Sequence, residues 1–158
     1  MTTMNRKGNP WVALVVSILI VAAVAFSGSQ FVPGPWYEAL AKPSWNPPNW
    51  VFGPAWTILY ALMALAAWKV WIVVRRIDIA LVAYGVQLIL NGLWSYLFFG
   101  LQRPDLALID IAAMWVMIVV TLILFWRRDR LAGMLLVPYL LWVTFASSLN
   151  AMIWRLNG

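Results

Sequence analysis

The chain has 158 residues, of which 65% are hydrophobic and only 10% charged, whereas about a quarter of the residues of a soluble globular domain are charged. A spanning helix takes about 20 apolar residues, so the length holds about six or seven spans at most and leaves little for a water-soluble domain. The net charge is +6, and the chain contains no His and no Cys, which excludes imidazole bases, thiolate nucleophiles, disulfides and the usual zinc or iron–sulfur ligand sets; no metal site is expected.

Five acidic residues in all supply a two-carboxylate active site poorly, although Asp105 and Asp110 lie close in sequence. Tryptophan is what the chain has in excess. Twelve Trp accompany seven Phe and five Tyr, more than two interfacial aromatic belts need in so small a protein.

The first long uncharged run, Trp11 to Val32, follows Arg6 and Lys7. Its Ala23-Val24-Ala25 triplet resembles a signal-peptidase site. That triplet lies inside the apolar run, and the run exceeds a signal h-region, so a retained helix is expected. The next segment, Pro33 to Asn49, holds five of the nine prolines. A proline-dense stretch at the membrane surface has few conformations to lose and makes a stiff loop able to act as a lid. Within it, Trp36 to Ala41 is expected to form one or two helical turns, with Pro35 near the first position and Glu38 in the first turn.

The second run extends from Trp50 to about Val74. Steps of three or four residues place Phe52, Trp56, Tyr60, Met63, Ala67 and Trp71 in one arc, an aromatic stripe. The third, Ile79 to Leu101, groups Tyr84, Gln87, Asn91, Ser95 and Phe98, with Trp94 at the edge of the arc. Polar groups at this depth face protein or a cavity, and Gln87 and Asn91 can also serve as interhelical hydrogen-bonding groups. Gly85 and Gly92, on another face, would let a second subunit approach. The fourth run, Leu106 to Trp126, carries Asp110 near its start, where a carboxylate favoured by the macrodipole is expected to reach the headgroups. The fifth, Leu131 to Trp154, aligns Pro138, Trp142, Ala146, Leu149 and Ile153, with Tyr139 and Asn150 flanking.

Five spans place the termini on opposite sides. Eight Lys and Arg fall on the N-terminal side (Arg6, Lys7, Lys69, Arg75, Arg76, Arg127, Arg128, Arg130) against three on the other (Lys42, Arg103, Arg155), so the N-terminus is expected in the cytoplasm. Topology and anionic lipid account for the positive charge without nucleic acid. No internal repeat is visible, which weakens a transporter built on inverted repeats. Trp11, Trp68, Trp126 and Trp154 sit at span ends as belt anchors. Trp56, Trp94 and Trp142 instead fall near the end of the bundle that carries the proline-rich loop, where a shared aromatic cavity is expected.

The run Trp36-Tyr37-x-x-Leu40-x-Lys42-Pro43-x-Trp45-x-Pro47-Pro48-x-Trp50, continued by Pro54-x-Trp56-Thr57-x-Leu59-Tyr60, resembles the TspO family of tryptophan-rich sensory proteins, which includes the translocator or peripheral benzodiazepine receptor proteins. The resemblance extends through Asn91-x-x-Trp94 to Phe98-Phe99-Gly100, and through Pro138-Tyr139-Leu140-x-Trp142, Ala146 and Leu149-Asn150. It implies an all-α integral membrane protein, a single bundle of five transmembrane helices that is often dimeric. It further implies binding of porphyrins, protoporphyrin or haem-like, and other flat hydrophobic ligands under the first loop, with no required cofactor. The positions matching the family's ligand contacts are Trp45, Trp56, Tyr60, Asn91, Trp94, Trp142 and Ala146. Light- and oxygen-dependent porphyrin breakdown, with Trp56 and Trp142 as its catalytic residues, is a second implied activity, and porphyrin transport a third. The animal branch's sterol pattern needs a tyrosine before the terminal Trp154-Arg155, and the stretch Leu149-Asn150-Ala151-Met152-Ile153 lacks it, so cholesterol binding is not expected. The short charged start before the first helix points to a bacterial inner membrane.

Overall fold

A computed structural model describes residues 8–158; Arg6 and Lys7, which entered the charge count, lie outside the described residues. The described chain is helical: α1 (Pro10–Ser29), α2 (Pro35–Ala39), a 3₁₀ turn (Asn49–Val51), α3 (Phe52–Val74), α4 (Ile79–Ser95) with a π turn (Tyr96–Gly100), α5 (Pro104–Arg128), α6 (Arg130–Leu135) and α7 (Val137–Asn157). These make five spans long and apolar enough to cross a membrane, with α6 and α7 together forming the fifth.

Local chemistry sets most of the boundaries. Pro10 opens α1 behind Asn9, whose side chain accepts from the Trp11 N–H at 2.9 Å, a capped start with proline where no donor is needed. The first span stops at Ser29, short of Val32, because Pro33 disfavours helical geometry just before it. α2 occupies Pro35–Ala39, inside the loop where a turn or two was expected. Arg75, at φ 52°, closes α3, its N–H reaching the Trp71 carbonyl at 2.8 Å. Asp78 caps α4 by accepting from the N–H groups of Ala80 and Leu81 at 3.1 and 3.3 Å.

The fifth span is not the continuous helix its hydropathy implies. Pro138 has no N–H for the carbonyl four residues back, so the helix breaks at Leu136, whose N–H turns to Gly133 O at 3.1 Å. It resumes with the Leu140 N–H on Leu136 O at 3.0 Å.

Buried Met63, Ala66, Val70, Ile118, Phe125 and Val143 build the core between α3, α5 and α7. α1 lies at the edge of this core, to which it contributes Val21, and buries only Ser17 and Val21. It packs on α3 and α4, where a Cβ on Gly92 would sit 3.8 Å from Val24. Gly92 therefore serves packing within the chain; Gly85, the other half of the expected dimer seam, has open space beside it. Large apolar side chains such as Ile89 and Ile109 point outward, as a lipid-facing surface requires.

Asp110 departs from expectation. Its carboxylate is buried and neither oxygen has a hydrogen-bond partner, so it does not reach the headgroups. It shares the inward arc of α5 with Ala107 and Met114, and direction around the helix outweighs nearness to the end. Asp105 meanwhile pairs with Arg103 at 2.6 Å at the exposed start of α5.

The end of the bundle near residue 8 is held by ion pairs. Arg128 binds Asp78 at 2.7 Å and Lys69 binds Asp129 at 3.4 Å. Burial pushes the Asp78 carboxyl up, but the Arg128 hydrogen bond and charge and the Leu81 and Ala80 N–H groups outweigh it and hold the group below its ordinary value. A depressed carboxyl stabilises the fold above its unfolded pKa, and that contribution is lost as pH falls through the folded one. Asp78→Asn, which keeps the cap, is expected to cost about 0.5–1 kcal/mol at neutral pH, and Asp78→Ala about 1 kcal/mol more. In thermal melts in detergent, the gap between Asp78→Asn and the parent closes as pH drops below the carboxylate range.

Candidate functional site

At the loop end of the bundle, α1, α3, α4, α5 and α7 diverge around a cavity of about 510 Å³. Three stripes supply most of its wall: Phe52, Trp56 and Tyr60 from α3; Asn91, Trp94 and Phe98 from α4 and its π turn; Trp142, Ala146 and Leu149 from α7. Each stripe advances by three or four residues, the step that returns to one helical face.

The aromatic rings contact one another mostly by edges. Trp56 stacks on Tyr60 with centroids 5.5 Å apart and meets Trp142 edge-on at 6.4 Å and Tyr139 at 6.2 Å. Phe52 meets Trp142 at 5.9 Å, and Trp94 stacks on Phe98 at 5.0 Å. Ala146, one turn from Trp142, leaves space where a larger side chain would fill the hollow.

Behind this surface runs a directed chain of hydrogen bonds. Tyr60 donates to Asn91 Oδ1 at 2.6 Å, Asn91 Nδ2 donates to the Tyr139 oxygen at 2.9 Å, and the Tyr139 hydroxyl donates to Gln87 Oε1 at 2.7 Å. Gln87 Nε2 ends the chain on the Met63 sulfur at 3.9 Å. Asn91 thus reaches the cavity, while Gln87 stands behind it. The Trp94 indole N–H is held by Asn150 Oδ1 at 3.0 Å, and Asn150 in turn donates to Pro104 O at 2.9 Å. The Trp142 indole N–H is buried without a protein acceptor, an unpaired donor in the cavity wall.

The loop closes the cavity from above. Tyr37 is buried against Phe98 and Phe99 at 6.2 and 5.5 Å and donates to Asn46 at 3.3 Å. Burial raises its hydroxyl above the ordinary value, with the Asn46 bond opposing, so Tyr37 stays neutral. Lys42 donates to the carbonyls of Glu38 and Leu40, each at 3.1 Å, and sits 4.8 Å over the Tyr37 ring. The Asn157 side-chain amide pairs with both backbone groups of Ala41 at 2.9 Å, fastening the loop to the end of α7.

Of the residues singled out in the sequence, Trp56, Tyr60, Asn91, Trp94, Trp142 and Ala146 meet at this cavity. Trp45 does not line it; it is 44% exposed and rests its edge on Phe145 at 5.7 Å. Periodicity gave no sign of the wall supplied by α1 and the residues after it, Ala25, Gly28 and Phe31, although small residues spaced by three were there to see. None of the residues lining the cavity is charged, so its wall is apolar with a few hydrogen-bonding groups set into it.

The TspO/MBR family model matches residues 4–155. The tryptophan-rich protein TspO of Chlorobaculum tepidum is 46% identical over 151 residues, covering 91% of this chain and 95% of that protein. Protein CrtK of Rhodobacter capsulatus is 40% identical over 145 residues, covering 90% and 91%. The human translocator protein is 37% identical over 155 residues, covering 94% and 92%.

Two outcomes test this geometry. Tyr139→Phe leaves both Asn91 Nδ2 and Gln87 Oε1 without their partner and is expected to cost about 1–3 kcal/mol, read as a lower melting temperature in detergent; an unchanged melt contradicts the hydrogen-bond chain. Asn157→Ala frees the loop at Ala41, so amide exchange and protease cleavage around residues 40–46 accelerate while the helical spans keep their protection.

Proposed function

The chain belongs to the TspO/MBR family, and from that premise we propose that this integral membrane protein is a receptor or sensor that binds porphyrins and other flat hydrophobic ligands in the cavity under its first loop. The observation that carries the reading is the 510 Å³ hollow walled by Trp56, Trp94 and Trp142, within the size range of small-molecule sites. Stacking on aromatic side chains contributes about 1–3 kcal/mol per ring in nucleic-acid proteins. Two or three indoles together with apolar burial then reach micromolar affinity, about −8 kcal/mol.

The indole N–H of Trp142 and the Asn91 amide orient a ligand by its polar edge. A porphyrin's propionates lie toward the loop, whose one lysine, Lys42, supplies the counter-charge. We place the protein in a bacterial inner membrane with its N-terminus in the cytoplasm, on the eight-to-three Lys and Arg bias. A second reading, light- and oxygen-dependent porphyrin breakdown, is favoured by the edge-on pair Trp56 and Trp142, 6.4 Å apart, since two adjoining indoles beside a bound macrocycle are oxidisable.

Protoporphyrin titrated into the detergent-solubilised protein is expected to quench Trp fluorescence saturably. Trp142→Ala, with the fold intact by circular dichroism, weakens binding by about tenfold or more, the equivalent of one stacked ring. An unchanged affinity removes Trp142 from the site.

A further inference from the structure

A second hollow, of about 460 Å³, lies on the outside of the bundle between α1 and α3. Its walls are apolar: Leu14, Ile18 and Ala22 on α1, Ala61, Ala64 and Leu65 on α3. Ala25, Thr57 and Tyr60 line both this hollow and the inner cavity, so a partition one side chain thick separates the ligand site from the surface that faces lipid.

Among the described residues, hydrogen bonds join α1 and its start to α3 at the far end and midway. At the far end the Trp68 indole donates to Pro10 O at 2.7 Å, Trp11 stacks on Trp68 at 6.1 Å and Arg75 donates to Gly8 O at 3.0 Å; midway, at the border of the outer hollow, Ser17 donates to Ala64 O at 2.7 Å. From Val21 to Ser29, no side-chain hydrogen bond joins the two helices among the described residues. Here α1 leans on α4 instead, with Gly28 close to Ser95 and Phe31 5.3 Å from Tyr96. The hydroxyls beside the gap turn back on their own helices: Ser29 donates to Phe26 O at 2.7 Å and Thr57 to Gly53 O at 2.8 Å. The gap therefore presents methyl and methylene groups, while Gly53 and Thr57 on its rim are exposed.

The loop side is fastened by contrast. Passage there requires breaking both Asn157 bonds to Ala41 and lifting Tyr37 off Phe98 and Phe99. A flat apolar molecule partitions into the acyl chains before it meets the protein, and from there only the partition of Ala25, Thr57 and Tyr60 stands before the cavity, with no hydrogen bond between α1 and α3 to break at that level.

We propose that the slot between α1 and α3 is a lateral passage through which a flat hydrophobic ligand moves between the bilayer and the cavity. The proposal rests on the ligand-binding reading of the cavity, and rates separate it from that reading, which equilibrium affinity tests. Ala22 and Ala61 border the outer hollow without lining the cavity, so Ala22→Trp and Ala61→Trp obstruct the slot and leave the site intact. In nanodiscs, stopped-flow quenching with protoporphyrin is expected to show association and dissociation slowing together by about tenfold or more, at unchanged affinity. Asn157→Ala leaves both rates near the parent's.

The absence of native cysteine allows a second form of the test that does not add bulk. Ala22→Cys with Ala61→Cys, bridged by a bis-methanethiosulfonate after loading, retains protoporphyrin until dithiothreitol is added. Parent-like rates in the tryptophan variants, release from the bridged protein at the unbridged rate, or faster exchange confined to Asn157→Ala each overturn the lateral route. Failure of the parent protein to bind protoporphyrin saturably overturns the cavity reading and the route with it.

Discussion

Tyr60, Asn91, Tyr139 and Gln87 form the interaction on which the rest of the bundle is organised. In a bilayer no water satisfies a stray hydroxyl or amide, so polar side chains must find each other. These four do so across α3, α4 and α7, and the chain ends on thioethers: Gln87 on Met63, with the Met114 sulfur 3.6 Å from the Tyr139 hydroxyl. A thioether only accepts, so the buried end of the chain must present donors. That requirement fixes the direction of every bond back to Tyr60. Individual bonds of this kind in membranes contribute typically under about 1 kcal/mol, but their joint geometry decides which edge of Asn91 and which lone pairs of Tyr60 face the hollow.

The aromatic side chains take up the space these ties hold open. Trp56 is pinned between Tyr60 and Tyr139 and cannot swing to fill the centre, and Ala146 withholds bulk beside Trp142. Trp142 meets Phe52 and Trp56 by edges, whereas Trp56 and Trp94 each stack on a neighbour, so the uncharged wall is built from rings in both orientations. Two populations stand out among the twelve tryptophans. Trp11, Trp126 and Trp154 are exposed at helix ends, where interfacial belts lie; Trp56, Trp94 and Trp142 face inward on the cavity. α1 carries no tie to the polar chain, and between Val21 and Ser29 it has no side-chain hydrogen bond to α3 among the described residues.

Much of this was legible in the sequence because the wall comes from stripes. Phe52, Trp56 and Tyr60, or Asn91, Trp94 and Phe98, differ from their lipid-facing neighbours in kind, and helical periodicity brings them to one side. α1 is apolar all round, so hydropathy does not mark which face turns inward, and only the small residues Ala25 and Gly28 distinguish it. Depth alone puts Asp110 at the interface, whereas its azimuth on α5 governs its burial. The break at Leu136 was hidden by unbroken hydropathy across Pro138, and the π turn at Tyr96–Gly100, which aims Phe98 and Phe99 at Tyr37, has no local sequence mark. Trp45 belongs to the loop motif, yet the turn that carries it sets its ring on Phe145 at the rim.

The most direct measurement of the central claim is an experimentally determined structure with protoporphyrin bound, read for the position of the macrocycle. The account predicts the ring inside the bundle, its faces and edge bounded by Trp56, Trp94 and Trp142 and its propionates toward the loop. A macrocycle lying on the outer surface, with those three side chains closed upon one another, contradicts it.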